Sequence, residues 1–150
     1  MNVLILYDLE GVIGVRNLDD TMQNSKLMEA EVNIVVETLK EEGIEKITIC
    51  EVHNGGSQKL IKPIWKNVSV IYGISNIDFS HSYDSAFLLG FHTRSGMRKY
   101  FSHTMRPDIK TVWVGEEEVG EIGLFTYWLR NHGITVMLCS GEGGIEEEAE

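Results

Sequence analysis

The sequence has 150 residues, of which 43% are hydrophobic and 24% charged, and a formal net charge of −10. This length and composition are typical of one globular domain over residues 1–150 with a single core. The acidic charge argues against a nucleic acid or an anionic membrane as partner, because both attract basic surfaces. No apolar run reaches the roughly 18 residues that a membrane span needs, and the chain enters its first strand without the basic segment of a signal peptide, so we expect a cytoplasmic protein.

The predicted elements alternate between apolar strands and amphipathic helices. The first helix carries apolar residues at helical spacing up to a stop at Gly43, and the second ends at residues 131–133. The acidic end, about residues 142–150, is expected to be a solvated tail or the frayed end of a helix. In chain order we predict a strand at 3–7, a helix at 25–43, strands at 45–50, 68–73, 85–91 and 109–115, a possible hairpin return at 116–120, a helix at 121–133 and a strand at 134–139.

Continuously apolar strands that alternate with helices predict an α/β fold, namely a mostly parallel sheet sandwiched by helices. In such sheets, ligands bind outside the carboxyl ends of the strands. The two cysteines, Cys50 and Cys139, each end an apolar run. We expect them to be buried thiols in adjacent strands of a reduced protein.

Acids and histidines follow three of the predicted strands. Asp8 and Glu10 follow the first strand, His53 follows the second and His92 follows the fourth. These side chains should meet at one edge of the sheet, where carboxylate and imidazole together suit Zn²⁺, with Mn²⁺ or Co²⁺ as substitutes. Two acids with two histidines exceed what one catalytic zinc needs. A further carboxylate, for which Glu121 at the start of the second helix is a candidate, would make a two-metal site with a bridging acid.

Each of these residues also has a purely structural interpretation. Asp8 could turn the chain after its strand, and Glu10 could belong to a loop. His53 could be a surface residue of the turn "HNGGS", and His92 could be a partly buried histidine with satisfied hydrogen bonds. Their coincidence at three strand ends favours the metal site.

His103 lies in a connection rich in glycine, serine and basic residues. It could act as a general acid/base or oxyanion-stabilising group over the metals, or it could be a loop histidine packed against Phe101. Both interpretations are open at this point. Other polar features are predicted to be structural or solvated: His81, His132 and the acidic run at residues 116–118.

The order of motifs resembles the DppA-type D-aminopeptidases of the M55 zinc peptidase family. The motifs are "DLEG", a "HNG" turn, "GFHTRSG", "SHT", "VGEIGL" and "SGE", and "GFHTRSG" with "SHT" downstream is the most specific of them. The resemblance implies cleavage of short peptides that begin with D-amino acids, D-alanine in particular. It also implies ring assemblies whose active sites face an internal channel. For this sequence it implies two zinc ions with ligands at Asp8, Glu10, His53, His92 and Glu121, and an additional active-site histidine at His103.

The sequence departs from the family pattern in three ways. Leu6 stands where the family usually has serine. The family's Asp-x-His-Gly occurs as Glu51, Val52, His53 and Asn54. A glutamate still offers a carboxylate to orient the imidazole, and asparagine tolerates positive φ. Family members are also much longer, so the chain resembles a short form that covers mainly the N-terminal metal-binding half. We expect the shorter chain to keep the metal site, whereas the walls that select the substrate should be less complete.

The sequence therefore predicts a dinuclear zinc hydrolase acting on a small peptide or amide. Two alternatives are open: a non-catalytic metal-binding or assembly module that keeps the fold, and a hydrolase of another small amide. A homo-oligomer is also expected, because the second helix is apolar over a wide arc. The alternative is that this helix is buried within one subunit. The residues of that arc are Leu124, Phe125, Tyr127, Trp128 and Leu129.

Overall fold

The computed structural model describes residues 1–62 and 64–149 of the chain. Proline interrupts helices and strands, and Pro63 lies outside the described residues, as does Glu150, the last residue of the acidic tail. The elements in chain order are β1 (Asn2–Tyr7), α1 (Thr21–Glu41), β2 (Lys46–Glu51), β3 (Val68–Tyr72), β4 (Ser85–Phe91), β5 (Val112–Val114), β6 (Glu117–Val119), α2 (Glu121–Asn131), β7 (Thr135–Gly141) and α3 (Glu146–Ala149).

Five strands form a parallel sheet in the order β3-β2-β1-β4-β7. Every neighbouring pair of strands runs parallel. The carboxyl ends of β1, β2 and β4 therefore lie next to one another at one edge. The predicted α/β fold with a mostly parallel sheet is confirmed.

Helices cover both faces of this sheet, because successive side chains of a strand point to opposite faces. Val3 and Ile5 of β1 pack on the α1 side, whereas Leu4 and Leu6 pack on the α2 side. The helical residues that complete the two cores are Met28, Val32, Val36 and Leu39 from α1, and Ile122, Phe125 and Leu129 from α2. The two helices that cover the sheet therefore hold it from opposite faces.

Three details differ from the sequence expectations. α1 begins at Thr21 rather than at residue 25, because the Asp20 side chain caps it by accepting a hydrogen bond from the Gln23 amide at 3.1 Å. The predicted strand 109–115 shortens to β5, which pairs with β6 as the expected hairpin but in a separate two-stranded sheet. Cys50 and Cys139 are not in adjacent strands, because β1 and β4 lie between β2 and β7.

The acidic end of the described chain is solvated in part, since Glu146 and Glu147 are exposed, and packed in part. It forms the short helix α3, and Glu148 Oε1 accepts hydrogen bonds from the Gly120 amide at 2.6 Å and the Gly123 amide at 3.0 Å. These amides belong to the first turn of α2, whose free N–H groups attract a carboxylate. Among the described residues, no helix has the length and apolar character needed to cross a membrane.

Candidate metal centre

The segment after β1 is pressed against the end of β4. The Asp8 amide donates to the Leu89 carbonyl, and the Gly11 amide donates to the Gly90 carbonyl, both at 2.8 Å. A Cβ on Gly11 would lie 1.8 Å from the Phe91 carbonyl oxygen, so only glycine allows this approach. Gly11 thus holds Asp8 and Glu10 at this edge of the sheet, beside His92.

His53 is placed by a tight turn at the end of β2. The turn His53–Gly56 contains Asn54 at φ 47°, a left-handed conformation that asparagine tolerates as expected. His53 Nδ1 lies 2.9 Å from Glu10 Oε2 and 3.6 Å from Asp8 Oδ1. The turn therefore brings an imidazole from β2 to the two acids that follow β1.

His92 directly follows β4 and is 1% exposed. Its Nδ1 lies 3.0 Å from the Thr93 carbonyl, which can only accept, so the proton of a neutral ring is assigned to Nδ1. Nε2 then lies 3.5 Å from Asp8 Oδ2 and 3.3 Å from Glu121 Oε1. It is buried and lacks a well-formed hydrogen bond in the described structure. A buried lone pair facing two carboxylates is suited to a cation.

Glu121 is the first residue of α2 and reaches the same edge from above the sheet. Its Oε1 accepts a hydrogen bond from the Met105 amide at 2.7 Å. Met105 adopts φ 60°, an uncommon conformation for a residue other than glycine, and this aims its amide at the carboxylate. The start of α2 also favours a negative charge.

His103 stacks on His92, with ring centroids 4.0 Å apart and planes 8° apart. Its Nδ1 donates to the Phe101 carbonyl at 2.8 Å, and its Nε2 lies 3.7 Å from Glu121 Oε1. The side chain is 22% exposed, more than any of the other five candidate residues. His103 therefore borders the cluster from its open side.

The structure brings all six candidate side chains into one cluster. Three overlapping groups have possible ligand atoms within 4.8 Å of one another. Asp8 belongs to two of these groups, with Oδ1 turned toward His53 and Oδ2 toward His92. The groups are Asp8 with Glu10 and His53, Asp8 with His92 and Glu121, and Glu10 with His92 and His103.

Burial and close charges shift the pKa values within the cluster. Burial, followed by repulsion from Glu10, raises the pKa of Asp8 to about 7. Burial opposes ionisation of Glu10 as well, but hydrogen bonds with His53 and Asp8 outweigh it and hold the pKa of Glu10 at about 2. Burial lowers the pKa of both imidazoles, yet the carboxylates around them raise it to about 10 for His53 and about 9 for His92. Positive charge is therefore favoured among these acids, and a divalent cation would supply it with matching ligands.

A cavity of about 220 Å³ opens beside the cluster. Its polar wall carries the three acids together with His53 and His103, and its apolar wall is formed by Val52, Ile74, Met105 and Phe125. A larger cavity of about 520 Å³ lies beside α2 and α3 and is lined by none of the six candidate residues. The smaller cavity is the one that reaches the reactive groups.

Glu51 does not orient His53, contrary to the sequence expectation. Glu51 Oε2 accepts a hydrogen bond from the Ile61 amide at 2.9 Å. Glu51 is a residue of β2 itself, and its side chain joins the loop that packs on the α1 side of the sheet. In the described structure, Asp8 and Glu10 contact His53 instead.

Sequence reasoning missed two residues next to the cluster, Thr93 and Glu142. Glu142 accepts hydrogen bonds from Thr93, whose carbonyl in turn holds His92. Glu142 follows the last strand, so the strand-end rule could have found it, but it was grouped with the acidic tail. Thr93 contacts His92 through its backbone carbonyl, and its hydroxyl bonds Glu142 rather than a candidate ligand, so its residue type gave no signal of a metal site.

The polar features predicted to be structural lie away from the cluster. His81 is exposed and contacts Asp78, and His132 stacks on Phe79 at the end of α2. The acidic run at residues 116–118 is only partly solvated, because Glu118 forms an ion pair with Arg94 at 2.8 Å.

The parallel sheet gathers carboxylates and imidazoles at its strand ends, the place where α/β proteins bind ligands, and these side chains are of the types that hold metal ions. The sequence matches the M55 peptidase family, described as D-aminopeptidase, over residues 1–150. The chain therefore belongs to this family of peptidases.

Two comparisons with individual proteins agree with the family. The chain is 22% identical over 166 aligned residues to a D-aminopeptidase of Bacillus subtilis (strain 168), and the alignment covers 100% of this chain and 59% of that protein. A solved structure, described as a Zn-dependent D-aminopeptidase DppA from Bacillus subtilis and a self-compartmentalizing protease, superposes with a TM-score of 0.86. That chain is 21% identical, with 100% of this chain and 59% of the other covered, and the match establishes the shared fold. The chain thus spans about three fifths of the length of these relatives.

Proposed function

We propose that the protein is a zinc-dependent hydrolase that releases N-terminal D-amino acids from short peptides or amides. The observation that carries this proposal is the Asp8 carboxylate, whose two oxygens face two different groups of ligand residues. Membership of a peptidase family and a relative described as a Zn-dependent D-aminopeptidase support the chemistry and the substrate class.

Two zinc ions would share Asp8 as a bridging ligand. Glu10 and His53 would complete one set of ligands, and His92 and Glu121 the other. Nitrogen and carboxylate ligands suit zinc, and Mn²⁺ or Co²⁺ could substitute. When bound, zinc acts as a Lewis acid that polarises a carbonyl oxygen and lowers the pKa of water.

His103 would carry the proton during hydrolysis. Its Nδ1 hydrogen is engaged by the Phe101 carbonyl, so Nε2 is the atom that can take a proton from the attacking water and return it to the leaving amine. Stacking on the buried His92 ring holds Nε2 toward the open cavity. Its greater exposure is what a group that meets substrate needs.

The cavity suits a small residue with a free amino terminus. About 220 Å³ accommodates a short side chain rather than a folded polypeptide segment. The small volume leaves little room for residues ahead of the bond to be cleaved, and the apolar wall excludes water from the reacting bond. These features support an aminopeptidase more than an endopeptidase.

We also propose a homo-oligomer, and a ring in particular, in the cytoplasm. The description of the relative as self-compartmentalizing supports assembly. The apolar arc of α2 does not support it, because Phe125 and Leu129 are buried and Trp128 packs edge-on against Phe79. Exposed apolar side chains lie instead on the edge strand β7, at Met137 and Leu138, and on the hairpin, at Trp113.

The direct test is a panel of matched D- and L-aminoacyl amides and dipeptides offered to the zinc-loaded protein. We expect hydrolysis of small D-aminoacyl substrates that stops on chelation and returns with zinc. Hydrolysis of the L-series alone would contradict the substrate class. A protein that holds zinc and cleaves neither series would be a metal-binding module.

A further inference from the structure

We propose that Glu142 and Thr93 form a positioning pair that fixes both histidines on the β4 side of the metal centre. The pair connects the end of β7 to the residues that follow β4. Its relevance to catalysis rests on the proposed function, whereas its effect on histidine geometry and metal affinity does not require hydrolysis.

The first step of the connection is a carboxylate that holds Thr93 by two bonds. Glu142 Oε1 accepts a hydrogen bond from the Thr93 amide at 3.0 Å and another from Thr93 Oγ1 at 2.8 Å. The Glu142 amide donates in return to the Phe91 carbonyl at 3.1 Å. Thr93 is 1% exposed, so water cannot replace these acceptors without a rearrangement.

The second step is the carbonyl of Thr93, which accepts from both histidines. His92 Nδ1 lies 3.0 Å from it, and the His103 amide lies 3.2 Å from it. The first bond assigns the His92 proton to Nδ1 and leaves Nε2 free to face Asp8 and Glu121. The second bond fixes the backbone that carries the stacked His103 ring.

The hydroxyl of Thr93 extends the network to the His103 segment. Its single proton goes to Glu142, so in the 2.8 Å contact with Ser102 Oγ the Thr93 oxygen is the acceptor. The Lys99 carbonyl, 3.2 Å from Ser102 Oγ, is a second acceptor for the same Ser102 proton. Ser102 Oγ also accepts a hydrogen bond from the Lys99 amide at 3.0 Å. Every group of Thr93 that can form a hydrogen bond is therefore used to hold the two histidines in relation to β7.

The test uses paired variants of Glu142 and Thr93. Glu142→Ala removes the acceptor, whereas Glu142→Gln keeps an oxygen that accepts the same two bonds. Thr93→Val removes the hydroxyl with little change of shape, and Thr93→Ser retains it. Glu116→Ala, at an exposed acid of the hairpin turn, is the matched control for charge.

Two measurements on each variant are independent of activity. Nitrogen-15 NMR of the chelator-treated protein, recorded above the pKa of about 9 of His92 so that the ring is neutral, reports which nitrogen of His92 carries the proton. Competition with a chromophoric chelator gives the affinity for zinc alone. We expect Glu142→Ala and Thr93→Val to bind zinc more weakly, by about 10- to 100-fold for Glu142→Ala, and to lose the single Nδ1–H form of His92. Glu142→Gln, Thr93→Ser and Glu116→Ala should resemble the wild type in both measurements.

The outcome that overturns the proposal is wild-type zinc affinity and an unchanged His92 tautomer in a folded Glu142→Ala protein. If Glu142→Ala does not fold, Thr93→Val is the deciding variant. Wild-type zinc affinity in Thr93→Val would also overturn the proposal. If Glu142→Gln differed from the wild type in zinc affinity or in the His92 tautomer, the charge of Glu142 would matter rather than its hydrogen bonds. That result would also contradict the proposal. Absence of hydrolysis in the wild type would overturn the proposed function and leave these measurements unaffected.

Discussion

His92 and His103 stack in parallel, with planes 8° apart and ring centroids 4.0 Å apart, at the edge of the sheet. The buried ring of His92 faces Asp8 and Glu121 through Nε2, whereas Nε2 of the more exposed His103 lies 3.7 Å from Glu121 Oε1. The geometry therefore suits the proposed roles, with His92 as a metal ligand and His103 as the group that meets substrate. Because the two rings stack, the orientation of His103 depends on that of His92.

Replacing His103 should separate chemistry from metal binding. In His103→Ala we expect the bound metal to remain, because the two ligand groups that contain Asp8 do not include this residue. Hydrolysis should fall by roughly a hundredfold or more, the usual loss when a positioned acid/base is removed. Zinc content and turnover measured on the same preparation check this.

His81→Ala is the control for His103, because His81 is an exposed histidine that contacts Asp78 away from the cluster. His81→Ala should leave the zinc content and the turnover unchanged. A loss of zinc in His103→Ala would make His103 a ligand through its group with Glu10 and His92. Full activity would make it a packing residue.

Gly11→Ala should destabilise the fold, because the new methyl group would collide with the Phe91 carbonyl. We expect the free energy of unfolding to fall by roughly 1–3 kcal/mol or more, as for other overpacked sites. Urea denaturation of the chelator-treated protein measures this without a contribution from metal. Gly143→Ala is the control, since a Cβ there has no atom within 4 Å. Equal stability of the two variants would be incompatible with the close approach of the segment after β1 to β4.

The sequence predicted the part of the site that depends on strand order. Asp8, Glu10, His53 and His92 follow parallel strands, and parallel strands present their carboxyl ends at one edge, so their proximity did not require coordinates. The sequence offered Glu121 only as a candidate, and its assignment relied mainly on the family resemblance, because its place depends on how α2 packs on the sheet.

Features that depend on the direction of a side chain or on the order of strands in the sheet were not predictable in the same way. Glu51 precedes His53 by two residues, yet its carboxylate joins the loop at Ile61 instead of the imidazole. The order of strands in the sheet separates Cys50 from Cys139, although each ends a similar apolar run. The acidic tail has the composition of a solvated segment, but Glu148 accepts hydrogen bonds from free amides at the start of α2.

Glu148→Ala should loosen the start of α2. Its carboxylate accepts from two amides that would otherwise lack partners, so we expect a loss of about 0.5–2 kcal/mol, as for removal of a helix cap. Thermal or urea unfolding of this variant beside Glu147→Ala, an exposed neighbour, measures the difference. Indistinguishable midpoints for the two variants would show that Glu148 does not hold α2.

Both cysteines should be unreactive in the folded protein. Burial raises the pKa of Cys50 to about 12 and that of Cys139 to about 11, with a further contribution from a neighbouring glutamate in each case. Since the thiolate is the nucleophile, at pH 8 only about one Cys139 in a thousand would be reactive, and fewer for Cys50. Reactivity should appear only as the pH rises toward these values or on unfolding. Mass spectrometry after iodoacetamide treatment at pH 8, with and without guanidinium, checks this, and rapid labelling of the native protein would contradict it.

The most direct test of the central claim is the number of zinc ions that each chain holds, measured by elemental analysis after equilibration with zinc and removal of the excess. If Asp8 bridges two sites, the wild type should hold two ions per chain and Asp8→Ala should hold fewer than one, because the substitution removes a ligand from both groups. Asp78→Ala, which changes an acid beside the exposed His81, should still hold two. A wild type that binds no zinc, or an Asp8→Ala protein with the same zinc content as the wild type, would contradict a metal centre built around Asp8.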